Sequence, residues 1–275
     1  MRGIGRSFLK GFLIGVLCLC IVGLAGLFVL RPSLTAAEAD ALKRTYSEAG
    51  PGADRSGALP AGEEPASFVD FSSLRADYPD VKGWLTIPGT VVDYPVLQSS
   101  AAQPEYYLRR NYRGEWRMAG SLFFQYDCTL QSKNTVIYGH NMTDGSMFGV
   151  LAKYEDDVFR KGHSRLLLQT EGGVEEYAVA AVLKTDAAQL PFNRTVFASD
   201  ADYLSFAAEL GVSVTSADER LLTLVTCAYD WDGARTVVVA RRVVPSDLHR
   251  YSLCDSSGAS RCQIRSDKTI DAHMP

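Results

Sequence analysis

The chain has 275 residues, 47% of them apolar and 22% charged, with a formal net charge of −4. That length holds one substantial domain with appendages, or two small ones, and the composition is that of a folded protein rather than a disordered one. No Lys/Arg block interleaves with aromatics, which argues against nucleic acid as a partner, because phosphate contacts need a basic face.

The N-terminal residues 1–10 carry Arg2, Arg6 and Lys10, and the next twenty, Gly11 to Leu30, carry no charge. As a helix that run spans roughly 30 Å, the thickness of a hydrocarbon core. Only Arg31 follows closely, so the positive-inside rule predicts a cytoplasmic N-terminus, a single-pass anchor over 11–30, and an extracellular remainder on a cell membrane. A cleaved signal peptide is the competing reading, since small residues follow in "TAAEA", but signal h-regions run only about 7–15 residues. Residues 31–67 read as a stalk. A short helix suits 36–49, and the Gly/Pro/Ala-rich stretch "GPGADRSGALPAGEEPAS" suits a flexible linker that holds a domain off the bilayer.

From Phe68 to residue 245 the pattern is that of a domain. Phe68, Phe71, Leu74 and Tyr78 lie at helical spacing, and Pro79 stops them. Eight strand-like runs follow, at 83–87, 90–98, 120–126, 134–140, 164–171, 175–185, 220–229 and 234–243, with a hairpin signal in "TEGGVEE". Two helix-like segments interrupt them, at 145–162 and 200–211. The predicted fold class is therefore mainly β with short helices, a mixed barrel or a sandwich. Residues 246–275 form a polar tail in which Cys254 and Cys262 are spaced to close a small loop. That pairing leaves Cys128 and Cys227 unassigned. No CxxC pair or close Cys/His set occurs, so no metal site is expected, and no nucleotide fingerprint points to a cofactor.

Few residues remain that could carry chemistry. Of four histidines, His249 and His273 lie in the tail, and His163 sits at a helix-end turn. His140 ends a strand and enters the turn "NMTDG", where a rigid scaffold commonly presents a side chain. Cys227 sits in "LTLVTCAY", and both faces of that run are partly apolar, so alternation leaves open whether the thiol fills core or acts as a nucleophile. Arg235 opens the next strand-like run. It would favour a thiolate or an oxyanion beside it, or simply pair with Asp230 or Asp232.

Taken together, "NTVIYGHNMTDGSMFGVLAKY" followed by "TLVTCAYDWDGARTVVVARR" resembles the sortases, and class B most closely. The likeness covers about residues 68–245, and its motifs are a His after a strand, a TLxTC strand and an Arg on the following strand. It implies an eight-stranded β-barrel with N-terminal helices and a helix before the cysteine strand, which 200–211 fits. It implies transpeptidation. Cys227 attacks the Thr carbonyl of a sorting signal on a secreted protein, giving a thioester. His140 protonates the leaving amine and then deprotonates the incoming one. Arg235 holds the substrate backbone and the oxyanion. Tyr138, Asn141 and Thr226 are candidate substrate-binding residues beside these three. The partners implied are proteins with an Asn-Pro-x-Thr-like C-terminal signal, and as acceptor a peptidoglycan-precursor amine or, in an assembly enzyme, a pilin lysine. A non-catalytic surface module and a Cys–His hydrolase are the alternatives.

Overall fold

The computed structural model describes residues 4–48, 68–186, 188–228 and 230–243. The linker 49–67 and the tail 246–275, with the Cys254–Cys262 pairing, lie outside the described residues.

Helix α1 (Ile4–Tyr46) leads into a two-residue strand β1 (Ser47–Glu48), which pairs antiparallel with β2 (Phe68–Val69). Asp70 then caps α2 (Phe71–Asp77), accepting from the backbone N–H groups of Ser72 and Ser73. The helical spacing read from Phe68 thus begins three residues later, because Phe68 and Val69 are held in the small ladder.

The strands that follow are β3 (Val81–Thr86), β4 (Asp93–Gln98), β5 (Leu122–Phe124), β6 (Asn134–Tyr138), β7 (Arg165–Thr170), β8 (Gly173–Thr185), β9 (Leu221–Cys227) and β10 (Arg235–Arg242). They close a barrel in the order β10-β8-β7-β3-β4-β5-β6-β9. Barrel rather than sandwich is decided by β9, which pairs with β6 on one side and β10 on the other and so joins the two ends of the sheet. Leu221, Leu222, Leu224 and Val225 are all fully buried. A strand covered on both faces reads as a near-continuous apolar run, which is why alternation in β9 was uninformative.

Helix α3 (Asp157–Gly162) follows a 3-10 stretch, Gly149–Glu155, where the sequence predicts one helix over 145–162. Asp156 breaks the run, because its extended backbone and its side chain cap the N–H of Phe159. Helix α4 (Asp200–Glu209), capped by Ser199, buries Tyr203, Phe206 and Ala207 in the main core and delivers the chain to β9.

The last turns of α1 pack on the barrel. Ala39 and Leu42 are buried, and Leu42 joins Phe71, Leu74, Trp84 and Tyr107 in a second apolar cluster. Lys43 Nζ contacts Asp93 at 2.7 Å, and Asp93 also accepts from Trp84 Nε1 at 2.7 Å and Thr86 Oγ1 at 2.9 Å. Arg117 pairs with Glu38.

This arrangement corrects the membrane reading. The single-pass anchor over 11–30, with the rest of the chain outside a cell membrane, is overturned, because among the described residues no helix is long and apolar enough to cross a membrane. The apolar run belongs to a 43-residue helix that continues through Glu38, Asp40, Lys43 and Arg44 onto the barrel.

Candidate active site

Three neighbouring strands end together. β6 runs parallel to β9 with Tyr138 opposite Val225, and Gly139 N–H donates to Val225 O at 3.2 Å. His140 follows Tyr138 by two residues, as Cys227 follows Val225. β10 runs antiparallel to β9 with Arg235 directly opposite Cys227. The histidine, cysteine and arginine, 95 residues apart at the extremes, therefore share one end of a three-strand segment.

Asn141 ties two of these strands. Its Nδ2 donates to the backbone oxygen of Cys227 at 2.8 Å. The loop that follows folds back tightly, with an isolated bridge between Asn141 and Met147 and a bond from Phe148 N–H to His140 O at 2.9 Å. Met147 adopts φ 52, in the left-handed region that bulky side chains avoid. Such strain persists only where surrounding contacts over-determine it, and it concentrates at functional loops.

His140 is half-buried, and its Nε2 lies 2.8 Å from Leu108 O. A carbonyl oxygen only accepts, so Nε2 carries the proton and Nδ1 is left as the basic nitrogen. Burial holds the imidazole below its ordinary pKa, the Leu108 contact opposes that shift, and the Arg109 charge adds to it. Leu108 belongs to a 3-10 turn, Tyr106–Arg109, in the long connection between β4 and β5. Gly120 supports this turn. Its φ is +58, and a Cβ there would lie well inside contact distance of Leu108 O. Sequence reasoning missed both residues. The positive-φ glycine is the only local signal, and nothing near it in sequence names the histidine it serves.

Cys227 is a free, half-exposed thiol, whereas Cys128 is buried, accepts from Val136 N–H at 3.2 Å and is pushed up to about 11 by burial. Exposure thus separates the two thiols, and the accessible one is the better placed to react. Arg235 Nη1 donates to Ala234 O at 2.9 Å and Gly233 O at 3.1 Å, which folds the guanidinium over its own loop. Asp230 pairs with Lys184 at 2.9 Å instead.

The three lesser candidates separate. Asn141 touches the cysteine strand, as above. Tyr138 stacks on Phe123 with ring centroids 5.7 Å apart and donates to Gln125 Oε1 at 2.9 Å. Burial pushes its phenol up to about 12, and the Asn193 contact and the Arg235 charge oppose the rise. Thr226 is buried, and strand alternation turns it to the face opposite Cys227. Its Oγ1 has no hydrogen-bond partner among the described residues. Also among the described residues, no group of three or more His, Cys, Asp or Glu could hold a metal ion.

Residues 85–243 match the family model described as the Sortase domain. The chain is 38% identical over 196 residues to sortase B of Listeria monocytogenes, covering 66% of this chain and 76% of that protein. A Staphylococcus aureus sortase B–substrate complex is similar at 31% identity and a TM-score of 0.57, over 64% of this chain and 85% of that one. A sortase B complexed with Gly3 is similar at 32% identity and a TM-score of 0.57, over 64% and 86%. With the barrel, the aligned strand ends and these likenesses in hand, the chain belongs to the sortase family and is a cysteine transpeptidase of the class B type.

Proposed function

We propose that Cys227, His140 and Arg235 carry the reaction, and that the chain cleaves a C-terminal sorting signal after Thr and passes the acyl group to an amine of the cell wall. The observation that carries this reading is the register, with Arg235 opposite Cys227 on one side and, on the other, Tyr138 opposite Val225, each two residues before His140 and Cys227.

The thiol proton passes to His140 Nδ1, which is available because Nε2 is committed to Leu108 O. The sulfur attacks the Thr carbonyl, and the oxyanion that forms is stabilised by the Arg235 guanidinium. The C–N bond breaks as the imidazolium returns its proton to the leaving amine, which leaves a thioester on Cys227. An incoming primary amine loses a proton to His140 and displaces the sulfur, which regains a proton. Acyl transfer from a thioester to an amine needs no external energy source. A lowered imidazole pKa suits this role, because the ring must be neutral to accept the first proton.

The complexes of relatives with substrate and with Gly3 support a peptide donor and an amine acceptor. An Asn-Pro-x-Thr-like signal and a peptidoglycan-precursor amine are the donor and acceptor expected.

The test incubates the chain with x-Pro-x-Thr-x peptides and triglycine, and follows the masses of protein and products. Cleavage after Thr with capture of the amine, absent in Cys227→Ala, is the expected result. Hydrolysis without capture at saturating triglycine would show a hydrolase instead. Activity that survives in Cys227→Ala would remove the assignment altogether. A pilin-derived lysine peptide that outcompetes triglycine would reassign the acceptor.

A further inference from the structure

Two segments hold His140, and both meet the end of α1. Leu108 O holds the ring, and Phe148 N–H, which follows Met147, holds the backbone by donating to His140 O at 2.9 Å. Residues 117–121 lace the Leu108 turn from both sides. Arg117 N–H donates to Arg109 O at 2.9 Å, and Ser121 N–H donates to Tyr107 O at 3.0 Å. Leu108 thus lies between two residues whose carbonyls are committed to this segment, and its own carbonyl serves the imidazole.

Thr35, Glu38 and Ala39 of α1 border a gap of about 20 Å³, whose other walls include Tyr94, Arg117, Gly120 and Met147. That is room for about one water, so the helix, the support of Leu108 and the histidine loop are closely packed at one point.

The directed contact across this junction is an ion pair. Arg117 Nε donates to Glu38 Oε2 at 3.4 Å and Nη2 donates to Oε1, a fork that fixes the guanidinium in orientation as well as position. The two side chains are 42% and 24% exposed, and pairs so solvated add little to stability. Position is a different quantity, because misplacing a reacting group by about 1 Å can cost a factor of about 10² in rate. The backbone of Arg117 pairs beside Leu108, so an anchor on its side chain is an anchor on the histidine brace. Without Glu38, the carboxylate of Glu115, 3.9 Å from the same guanidinium, would draw it back along its own loop.

We propose that Glu38 and Arg117 are positioning residues for His140. The end of α1 sets the imidazole through the Arg117–Leu108 contact, and so governs the rate of acyl transfer without touching substrate. The inference rests on the proton-carrying role proposed for His140.

The test measures peptide cleavage and triglycine transfer by the full chain in Glu38→Ala, Arg117→Ala, the double variant and Lys43→Ala, with thermal melting of each. In either single variant kcat is expected to fall about tenfold, with KM and melting temperature nearly unchanged. The double variant should fall no further, because the two side chains act as one unit. Lys43→Ala cuts the contact of α1 with Asp93 and should leave kcat at the wild-type level. If Arg117→Ala melts early, Glu38→Gln, which removes the charge and keeps the shape, decides in its place. A second readout is the imidazole nitrogen spectrum of His140, identified by its loss in His140→Gln. Above its pKa the wild-type ring should be the Nε2–H tautomer, and Arg117→Ala should move it toward the Nδ1–H form as Leu108 O withdraws. A kcat within twofold of wild type, losses that add in the double variant, an equal loss in Lys43→Ala, or an unmoved tautomer would each overturn the proposal. Transfer retained in His140→Gln would overturn the role of His140 and this inference with it, whereas transfer lost there but intact in Arg117→Ala overturns this inference alone.

Discussion

The imidazole of His140 depends on atoms far from it in sequence. Leu108 O fixes its tautomer and Gly120 leaves room for that carbonyl. Gly120→Ala places a methyl group against the carbonyl and forces a left-handed backbone on a residue with a Cβ. The expected result is a fall in kcat of about tenfold or more, from displacement of the imidazole proposed to move the proton, with a loss of about 1–3 kcal/mol in stability. Stopped-time peptide cleavage and denaturant titration on the same protein separate the two effects. Asn141→Ala removes the donor to Cys227 O. It should cost about 1 kcal/mol in stability and lower kcat more than it raises KM, because the bond orients the cysteine strand rather than holding substrate. Unchanged kcat with a raised KM would make Asn141 a substrate contact instead. Arg235→Lys keeps the charge but loses the planar fork. It is expected to lower kcat/KM by about 10²-fold if the guanidinium meets the oxyanion, and an activity near wild type would assign that task to another donor.

At the scale of elements, the end of α1 is built into the barrel's support. Leu42 lies under 5% exposed, at 4%, in the cluster with Trp84 and Tyr107. Leu42→Ala should cost about 2–5 kcal/mol, read as a lowered denaturation midpoint and as earlier proteolysis within residues 35–46. A variant as stable and as protease-resistant as wild type would show that these turns contribute nothing to the fold. The ion pair between Lys43 and Asp93 contributes less by itself, since Asp93 is a third exposed and partly solvated pairs are worth little. Its role is geometric, because the same carboxylate receives Trp84 and Thr86 and so joins α1, β3 and β4 at one point.

For the whole molecule, the depressed pKa of His140 couples the role proposed for it to stability. The folded state binds this proton less readily than the unfolded chain, whose imidazole titrates near 6.5. Where the unfolded state binds more protons, stability rises with pH. His140 therefore imposes no penalty well above pH 6.5, and it destabilises the fold progressively as pH falls from there toward its lowered folded value. His140→Gln should flatten that part of the stability–pH curve while abolishing transfer. A wild-type curve that is no steeper than the variant's between pH 6.5 and 5 would show that burial of His140 is not what sets it.

Strand number, strand order along the chain and the identity of the three polar residues at strand ends were legible in the sequence, because period, turn residues and the rarity of His and Cys are local properties. The run of apolar residues at 11–30 was legible too, but its meaning was not. Hydropathy reports only that a segment avoids water, and the continuation of α1 onto the barrel depends on Ala39, Leu42 and Lys43 finding partners distant in the sequence. Strand patterns alone left barrel closure open, since they do not say which two edges meet, and only the family resemblance implied it. It took the parallel pairing of β6 with β9 to join them. That same pairing sets Tyr138 opposite Val225, two residues before His140 and Cys227, and the Leu108 brace comes from the loop between β4 and β5, whose sequence signals nothing but turns. Local composition determined the parts and their chemistry. Register and long-range packing, which no short window of sequence encodes, decided which of them share a site.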